Sequence, residues 1–333
     1  MSQNRITLPK IAGSLLILAA ALAAPQLFTG SVAQNLAVLS ILYAVVASNW
    51  DLTLGYAGIF NFAHVAFFGI GSYVAAISTL QFGVPVWWDL GLAAVVVIAV
   101  SGVVSSLALR LRGIYVALVT FAVTQLCVAL FNSQKDITGG PVGLIGVPDL
   151  QLGGFAFGSD PRAYFYAAEF LLLASTIVLR WLVSSNFGLS LVALRDNESY
   201  AVSRGIPARR QRVLAMMISS IPTSLAGCIY AHYLIVASPD VFSFSLTTLL
   251  LTMVLVGGAG TIYGPIVAAI VLTVGTEKLS ALGNLRYMIV AALIVLTLRF
   301  LPGGLWSLLR ARSALWRAPP APLATLDLTE RTE

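Results

Sequence analysis

Long apolar runs constrain the fold of this chain more than any other feature of its sequence. A helix that spans the hydrocarbon core of a bilayer needs about 20 predominantly apolar residues. Charged residues make up only 10% of the chain, whereas soluble domains carry about 25%. The sequence therefore predicts an all-α fold, a polytopic transmembrane helical bundle of about ten spans. The predicted spans are 11–28, 36–54, 59–80, 90–109, 113–132, 163–183, 211–233, 245–262, 264–281 and 285–301.

Basic residues between the spans predict which helix ends face the cytoplasm. Cytoplasmic loops of membrane proteins carry an excess of Lys and Arg. If both termini are cytoplasmic, the outer loops hold only Lys135 and Arg162, and an even number of spans agrees with this bias. The basic residues of the cytoplasmic segments are then Arg5, Lys10, Arg110, Arg112, Arg195, Arg204, Arg209, Arg210, Arg212, Arg310, Arg312 and Arg317.

The two ends of the chain differ from the bundle. Arg5 and Lys10 precede the run 11–28 as they would in a signal peptide, but the run is long and no small-residue cleavage site precedes a soluble domain. We therefore expect a retained first helix, with cleavage as the alternative. Residues 306–333 are polar and rich in proline, which predicts a disordered cytoplasmic tail after a transmembrane domain of residues 1–305.

Two glycine clusters interrupt the apolar runs. One is Gly-Tyr-Ala-Gly at 55–58, and the other is Gly-Gly-Ala-Gly at 257–260. Both fall at predicted cytoplasmic turns, and the simpler interpretation is a tight helical hairpin at each. The alternative is a pair of broken or re-entrant helices whose free backbone groups line a pathway, which would lower the number of spans.

The outer loop 133–162 differs in character from a simple connection. It contains seven glycines and three prolines, and loops of this length are often functional. We expect a periplasmic docking surface for an external partner, and a passive solvated loop is the alternative.

The cytoplasmic loop 184–212 contains a predicted amphipathic helix. Within residues 190–204, the apolar side chains of Leu191, Leu194 and Ala201 fall near one face. By pattern alone, such a helix also suits the membrane surface, where its arginines would lie near lipid phosphates.

The sequence contains no catalytic or metal-binding constellation. Its two histidines, His64 and His232, lie far apart in or at the end of apolar helices, so we expect hydrogen-bonded packing residues. Cys127 and Cys228 also lie in apolar segments and are expected to be buried free thiols. Because no Gly-Lys pair is present, the chain has no phosphate-binding loop, and no soluble basic domain is present to bind nucleic acid.

Three carboxylates fall inside predicted spans, where charges are rare and costly. Glu277 lies late in the ninth span beside Lys278, close enough in sequence to Arg286 to pair near the outer surface, whereas the other two have no such partner nearby. Asp51 lies near the inner end of the second span, and Glu169 lies in the sixth. Either could serve a proton- or ion-coupled carrier. Their small number favours structural roles, and the lack of a clustered His, Ser or Asp constellation counts against a membrane enzyme.

Several stretches, in order, give the chain a resemblance to one family. The stretches are 54–58 (LGYAG), 61–64 (NFAH) with 66–73 (AFFGIGSY), 109–115 (LRLRGIY), 138–141 (TGGP), the loop 186–206, 257–265 (GGAGTIYGP) and 301–305 (LPGGL). With them the chain resembles the branched-chain amino-acid ABC permease family of the Liv type, and within it the M-like subunit.

This resemblance implies a permease subunit of an importer in the bacterial inner membrane. It implies that the subunit moves branched-chain or other hydrophobic amino acids into the cytoplasm. Such a chain is not an enzyme and binds no cofactor itself, because ATP and Mg bind to separate subunits. The implied partners are a homologous second permease subunit, two cytoplasmic ATP-binding subunits and a periplasmic solute-binding protein. A same-family importer for urea, short amides or aromatic acids is the alternative, followed by an ion-coupled secondary carrier.

The resemblance also suggests roles for individual residues. The cytoplasmic loop is similar to the coupling helix of ABC importers, which docks into a groove of the ATPase. The residues expected to couple to the ATPase are Arg195, Asp196, Glu198, Ala201, Gly205 and Ile206. The glycine clusters and the stretch after the first cluster look like a pathway lining, because free N–H groups at a helix start favour carboxylates. The residues expected to line the pathway are Gly55, Gly58, Asn61, His64, Gly257 and Gly260.

Overall fold

The computed structural model describes residues 31–111, 113–152, 155–159 and 161–279, with single positions between 283 and 304. The predicted first span and the predicted tail lie outside the described residues, as does nearly all of the predicted span 285–301. Most of the described chain is helical. This agrees with an apolar solvent, because a helix satisfies its own backbone N–H and C=O groups where lipid offers no hydrogen-bond partner.

The helices follow the apolar runs and end where glycine, proline or polar residues interrupt them. In chain order the described helices are α1 (Ser31–Asp51), α2 (Ala63–Phe82), α3 (Val86–Ala108), α4 (Ile114–Ser133), α5 (Lys135–Thr138), α6 (Pro161–Ser184), α7 (Asn186–Asp196), α8 (Glu198–Ser203), α9 (Ala208–Leu234), α10 (Phe244–Gly257) and α11 (Tyr263–Lys278). A π-helical turn, Leu52–Tyr56, extends α1, and short 3-10 turns lie at Gly140–Val142, Phe157–Ser159 and Pro239–Phe242.

Six helical segments of the described chain are long and apolar enough to cross a membrane. They are Val32–Tyr56, Ala63–Leu80, Trp88–Ala108, Ile114–Ser133, Arg162–Ser184 and Ala208–Leu234. Each overlaps one predicted span, so the polytopic helical bundle is confirmed for this part of the chain.

The predicted spans 245–262 and 264–281 are shorter helices than expected. They correspond to α10 and α11, which have 14 and 16 residues and pack against each other as a hairpin. At about 1.5 Å per residue they measure about 21 and 24 Å, less than the hydrocarbon thickness of about 30 Å. The described residues therefore do not confirm the total of about ten spans.

Helix α2 lies at the centre of the bundle. Its most apolar 18-residue window is 83% buried, whereas the corresponding windows of α3, α4 and α6 are only 22–28% buried. α2 packs against α9 and α3, while α1 packs against α11 and α6. The largest fully buried side chains include Trp50, Phe67, Phe68, Tyr73 and Phe242. The helices α3, α4 and α6 thus present most of their apolar surface outward.

One end of the bundle carries four short strands, within and beside the predicted loop 133–162. They are β1 (Leu144–Ile145), β2 (Gln151–Leu152), β3 (Phe155–Ala156) and β4 (Val236–Ala237). β1 pairs antiparallel with β4, and β2 pairs antiparallel with β3. The glycine- and proline-rich segment therefore has defined structure, and its first strand is joined to the chain that follows α9. We call this the β end of the bundle.

The opposite end carries α7 and α8, and we call it the α7–α8 end. The prediction of one continuous helix over 190–204 is wrong, because the helix breaks at Asn197. Its backbone is extended, with φ −153° and ψ 97°, and its side chain accepts a hydrogen bond from the N–H of Tyr200 at 3.0 Å. A capping Asn starts a new helix in this way. The predicted apolar face is confirmed, since Leu191, Leu194 and Ala201 are buried.

Candidate functional site

Three segments that are distant in sequence meet at the α7–α8 end. The end of α1 contributes Asp51, Gly55 and Gly58, the turn between α10 and α11 contributes Gly260, and α7 contributes Arg195. We call these five residues the glycine junction. It brings together both glycine clusters and the loop 184–212, which the sequence presents as separate features.

The first glycine cluster is a break between helices. After the π-helical turn, the N–H of Ile59 donates to the carbonyl of Thr53 at 2.8 Å. The indole N–H of Trp50 donates to the carbonyl of Asn61 at 2.9 Å. The chain from 57 to 62 therefore lies back along the last turns of α1, and α2 begins beside α1 rather than beyond its end. This geometry favours the broken-helix interpretation of the first cluster.

The second glycine cluster forms a strained turn between α10 and α11. Gly258 and Gly260 have φ of 106° and 82°. Ile262 has φ 57° and ψ −55°, and the N–H of Tyr263 donates to the carbonyl of Thr261 at 2.6 Å, which defines a γ-turn of the rare positive-φ kind. A β-branched residue in such a conformation costs about 1–3 kcal/mol. Contacts around the turn must therefore hold it.

Asp51 supplies those contacts. Its side chain is fully buried, and its two oxygens accept hydrogen bonds from three successive backbone N–H groups. The distances are 2.7 Å from Gly260, 3.1 Å from Thr261 and 3.1 Å from Ile262. Hydrogen bonds from amides to a carboxylate are stronger than bonds between neutral groups. Asp51 thus fastens the strained turn to the end of α1, which is a structural role of the kind that its sequence context favoured.

Arg195 adds α7 to the same junction. Its Nη1 donates to the carbonyl of Gly55 at 2.7 Å, and its aliphatic stem covers Gly58, where a Cβ atom would overlap it. Gly55 in turn lies directly against Gly260, and a Cβ atom on Gly55 would overlap both the amide of Gly260 and the carboxylate of Asp51. Glycine at 55 is therefore required by the close approach of two backbones.

The predicted coupling residues divide between the bundle and the surface. Arg195 and Glu198 bind the bundle, since Arg212 of α9 donates from Nη1 to Glu198 Oε2 at 2.9 Å. Ala201 is buried, so its side chain faces the bundle as well. The remaining predicted residues are the exposed Asp196 and Gly205 and the half-buried Ile206. Whether any of them contacts an ATPase stays a prediction.

Two exposed apolar side chains lie on α8 that were not among the predicted coupling residues. Tyr200 is 62% exposed and Val202 is 49% exposed, on a segment that Arg195 and Arg212 join to the bundle. Leu189 of α7, at 65%, is a further exposed apolar side chain of the same segment. Neighbouring exposed apolar groups are typical of a contact surface.

Of the predicted pathway residues, Asn61 and His64 are packed inside the chain. His64 Nδ1 lies 3.1 Å from Asn61 Oδ1, and its Nε2 lies 3.1 Å from the hydroxyl of Ser219. The ring also stacks on Trp50, with 5.5 Å between ring centroids. The prediction of a hydrogen-bonded packing histidine is confirmed. The four predicted glycines are placed as follows: Gly55 and Gly257 are buried, Gly260 is half-buried and Gly58 is exposed.

Sequence analysis missed a buried acid–histidine pair near the β end. His232 Nε2 lies 3.4 Å from Asp89 Oδ2, and both side chains are fully buried. Asp89 accepts a hydrogen bond from the hydroxyl of Ser78 at 2.6 Å, and His232 Nδ1 donates to the carbonyl of Pro148 at 2.7 Å. The pair therefore connects α2, α3 and α9 to the strand-bearing loop. Asp89 was overlooked because the predicted span began at residue 90, whereas α3 begins at Val86.

Glu169 of α6 is a third buried carboxylate in a span, after Asp51 and Asp89. Its side chain is 4% exposed, and neither oxygen has a hydrogen-bond partner among the described residues. Within the same described ranges, no three His, Cys, Asp or Glu side chains come together as a metal site requires.

Comparisons with known proteins agree on one family. The family model described as "Branched-chain amino acid transport system / permease component" matches residues 32–298, which is most of the chain. The permease protein LivM of the high-affinity branched-chain amino acid transport system of Escherichia coli is 27% identical over 303 residues, covering 84% of this chain and 71% of LivM. LivM of Salmonella typhimurium is 27% identical over 346 residues, covering 95% of this chain and 81% of the relative.

A second kind of permease protein also matches. LivH of Salmonella typhimurium is 25% identical over 307 residues, covering 84% of this chain and 94% of LivH. No solved structure matches the chain significantly. The predicted resemblance is therefore confirmed, and the chain belongs to the family of permease components of branched-chain amino acid transport systems.

Proposed function

We propose that this chain is the permease subunit of an ATP-driven importer for branched-chain or other hydrophobic amino acids. Its relatives are named as permeases of branched-chain amino acid transport, and they support the substrate class. One structural observation carries the mechanism. The α7–α8 segment is fastened to the bundle through Arg195 and Arg212, while Tyr200 and Val202 remain exposed for a partner.

The proposed assembly has four kinds of subunit. The chain pairs with a second, homologous permease subunit and with two ATP-binding subunits that bind ATP and Mg. A periplasmic solute-binding protein delivers the solute at the β end. In this arrangement the α7–α8 end is cytoplasmic, the membrane is the bacterial inner membrane, and this chain binds no ATP itself. The outward apolar surfaces of α3, α4 and α6 support contact with lipid and with the second permease subunit.

One observation favours a second candidate, an ion-coupled carrier. Glu169 is a buried carboxylate in a span without a partner among the described residues, and such groups often mark ion or proton pathways. Of the other two buried carboxylates, Asp51 is occupied by three amide donors, and Asp89 lies against His232 and accepts a hydrogen bond from Ser78. The carrier proposal thus depends on a single side chain.

Uptake by the reconstituted complex distinguishes the two candidates. Proteoliposomes that contain both permease subunits and the ATP-binding subunits receive the binding protein and a panel of amino acids, urea, amides and aromatic acids. The importer proposal expects accumulation of a hydrophobic amino acid only with ATP on the α7–α8 side. Uptake that needs no ATP, follows a proton gradient and disappears in Glu169→Gln would overturn it in favour of the carrier.

A substitution at Gly205 tests the proposed contact with the ATPase. Gly205 follows α8 with φ 87° and has open space around it, so a side chain there would project from the segment. We expect the side chain of Gly205→Glu to separate the segment from the ATPase and abolish uptake. Gly205→Ala has the same backbone strain with little bulk and should retain most of the uptake. The measurement is ATP-dependent uptake by equally assembled complexes. Normal uptake by Gly205→Glu contradicts the assignment.

A further inference from the structure

The side chain of Arg195 is 39% exposed, yet its guanidinium is bound within the chain. Nη1 donates to the carbonyl of Gly55, and Nε and Nη2 both lie 2.9 Å from Asp196 Oδ1. The contact between Arg195 and the ATPase that the family resemblance suggests stays a prediction. The structure adds a second contact, which joins this side chain to the end of α1.

The contact that Arg195 makes is the first of a short series. Gly55 lies against Gly260, and Gly260 is held by Asp51, which also holds the amides of Thr261 and Ile262. A displacement of α7 would therefore act first on the end of α1 and then on the turn between α10 and α11. No flexible linker intervenes, because every step is a direct hydrogen bond or a backbone contact.

The last member of this series, the turn at Ile262, has a strained backbone conformation. Ile262 occupies a γ-turn that is strained for a β-branched residue, and the turn keeps that shape while Asp51 binds its amides. Energetic coupling between distant sites requires an element with two arrangements whose balance both sites can shift. The strained Ile262 turn is the candidate for such an element, because the carboxylate of Asp51 holds it in the arrangement that the structure shows.

We propose that Arg195 and Asp51 are positioning residues that transmit movement of α7 to the discontinuous helix ends at Gly55 and Ile262. This inference rests on the proposed importer function, because ATP-driven movement of the α7–α8 segment is its source. It extends that function by separating two tasks on one segment. The exposed face of α8 receives the ATPase, and Arg195 passes the movement to the bundle through its hydrogen bond to Gly55.

Coupling stoichiometry tests the proposal in the complete complex. We expect Arg195→Gln and Asp51→Asn to lower solute imported per ATP hydrolysed at least about fivefold, with ATP hydrolysis kept within about twofold of the native rate. Arg195→Lys should keep an intermediate ratio, because an ammonium retains one donor for the Gly55 carbonyl. Arg209→Gln is the matched control, since Arg209 also donates to a backbone carbonyl at this end, that of Ser106 at 2.9 Å.

Hydrogen exchange gives a second readout that does not depend on transport. In the purified complex, Arg195→Gln should speed amide exchange at 260–262, which Asp51 protects, and leave exchange in α2 unchanged. Two results for Arg195→Gln would overturn the proposal: parallel loss of uptake and ATP hydrolysis, or unchanged amide exchange at 260–262. Either would mean that Arg195 contributes to folding alone. If the native complex itself shows no ATP-dependent uptake, the importer function fails, which is distinct from failure of the Arg195 variants alone.

Discussion

Single buried polar groups in this protein depend on partners far away in the sequence. Asp51 would be a costly isolated charge in a span, but three backbone amides from another hairpin satisfy it. At the β end, His232 Nε2 and Asp89 Oδ2 lie 3.4 Å apart, and the carbonyl of Pro148 and the hydroxyl of Ser78 bind the other polar atoms of the pair. Sequence analysis identified Asp51, His64 and His232 as unusual residues, yet it could not identify their partners, because those partners are backbone groups or residues on other helices.

The His232–Asp89 pair gives a prediction at the scale of residues. Replacing either residue with alanine should lower the free energy of unfolding by about 3 kcal/mol or more, because the remaining buried group loses its partner. The double variant should lose less free energy of unfolding than the two single variants lose together, and the difference is a coupling energy of about 0.5–3 kcal/mol. Thermal unfolding in detergent measures all three, with Ser106→Ala, a half-buried position at the other end of α3, as control. Strict additivity would show that the two side chains do not interact.

Individual elements are interrupted where backbones must approach one another. α1 ends in a π-helical turn, α7 and α8 are separated by the cap at Asn197, and α10 and α11 are separated by a glycine turn. Two of these three breaks meet at the glycine junction, where there is no room for a Cβ atom on Gly55. A continuous helix would separate these groups, so the breaks are necessary for the junction.

A pair of glycine substitutions tests this at the scale of elements. Gly55→Ala should destabilise the protein by about 2 kcal/mol or more, because the added methyl group forces α1 and the α10–α11 turn apart. Gly275→Ala is the matched control within α11, since a Cβ there meets only open space. We expect that variant to be neutral or stabilised by up to about 1 kcal/mol. Equal unfolding temperatures for the two variants would contradict the close packing at Gly55.

At the scale of the whole molecule, the bundle has two unlike ends. The β end carries a structured loop joined to β4, and the α7–α8 end carries the arginines of the tethered segment. The excess of arginine on the second end agrees with a cytoplasmic location. This asymmetry agrees with the proposed importer, in which the solute-binding protein docks at the β end and the ATPase at the α7–α8 end.

Labelling from the two sides of the membrane tests this orientation. In a variant without Cys127 and Cys228, Val142→Cys should react with a membrane-impermeant maleimide in intact spheroplasts, because Val142 is exposed at the β end. Ser203→Cys, exposed at the other end, should react only after permeabilisation. The opposite pattern would reverse the proposed orientation, and reaction of both from outside would place both ends in the periplasm.

The sequence alone determined that the chain is a multi-pass helical membrane protein of this family. Long apolar runs and a low charge content leave lipid as the main solvent, and those properties are local and additive along the chain. The motifs at 54–58, 186–206 and 257–265 were recognisable for the same reason. The positions of the six described long helices could be predicted because the bilayer sets their length.

Only the tertiary structure decided how those motifs meet. Asp51 and Ile262 are 211 positions apart, and Arg195 and Gly55 are 140 positions apart, so no periodicity or spacing in the sequence relates them. The turn that ends α10 and begins α11 also depends on that meeting, since Asp51 binds its amides. Hydrogen bonds between distant segments form only when packing brings a donor and an acceptor together, and packing is a property of the folded chain.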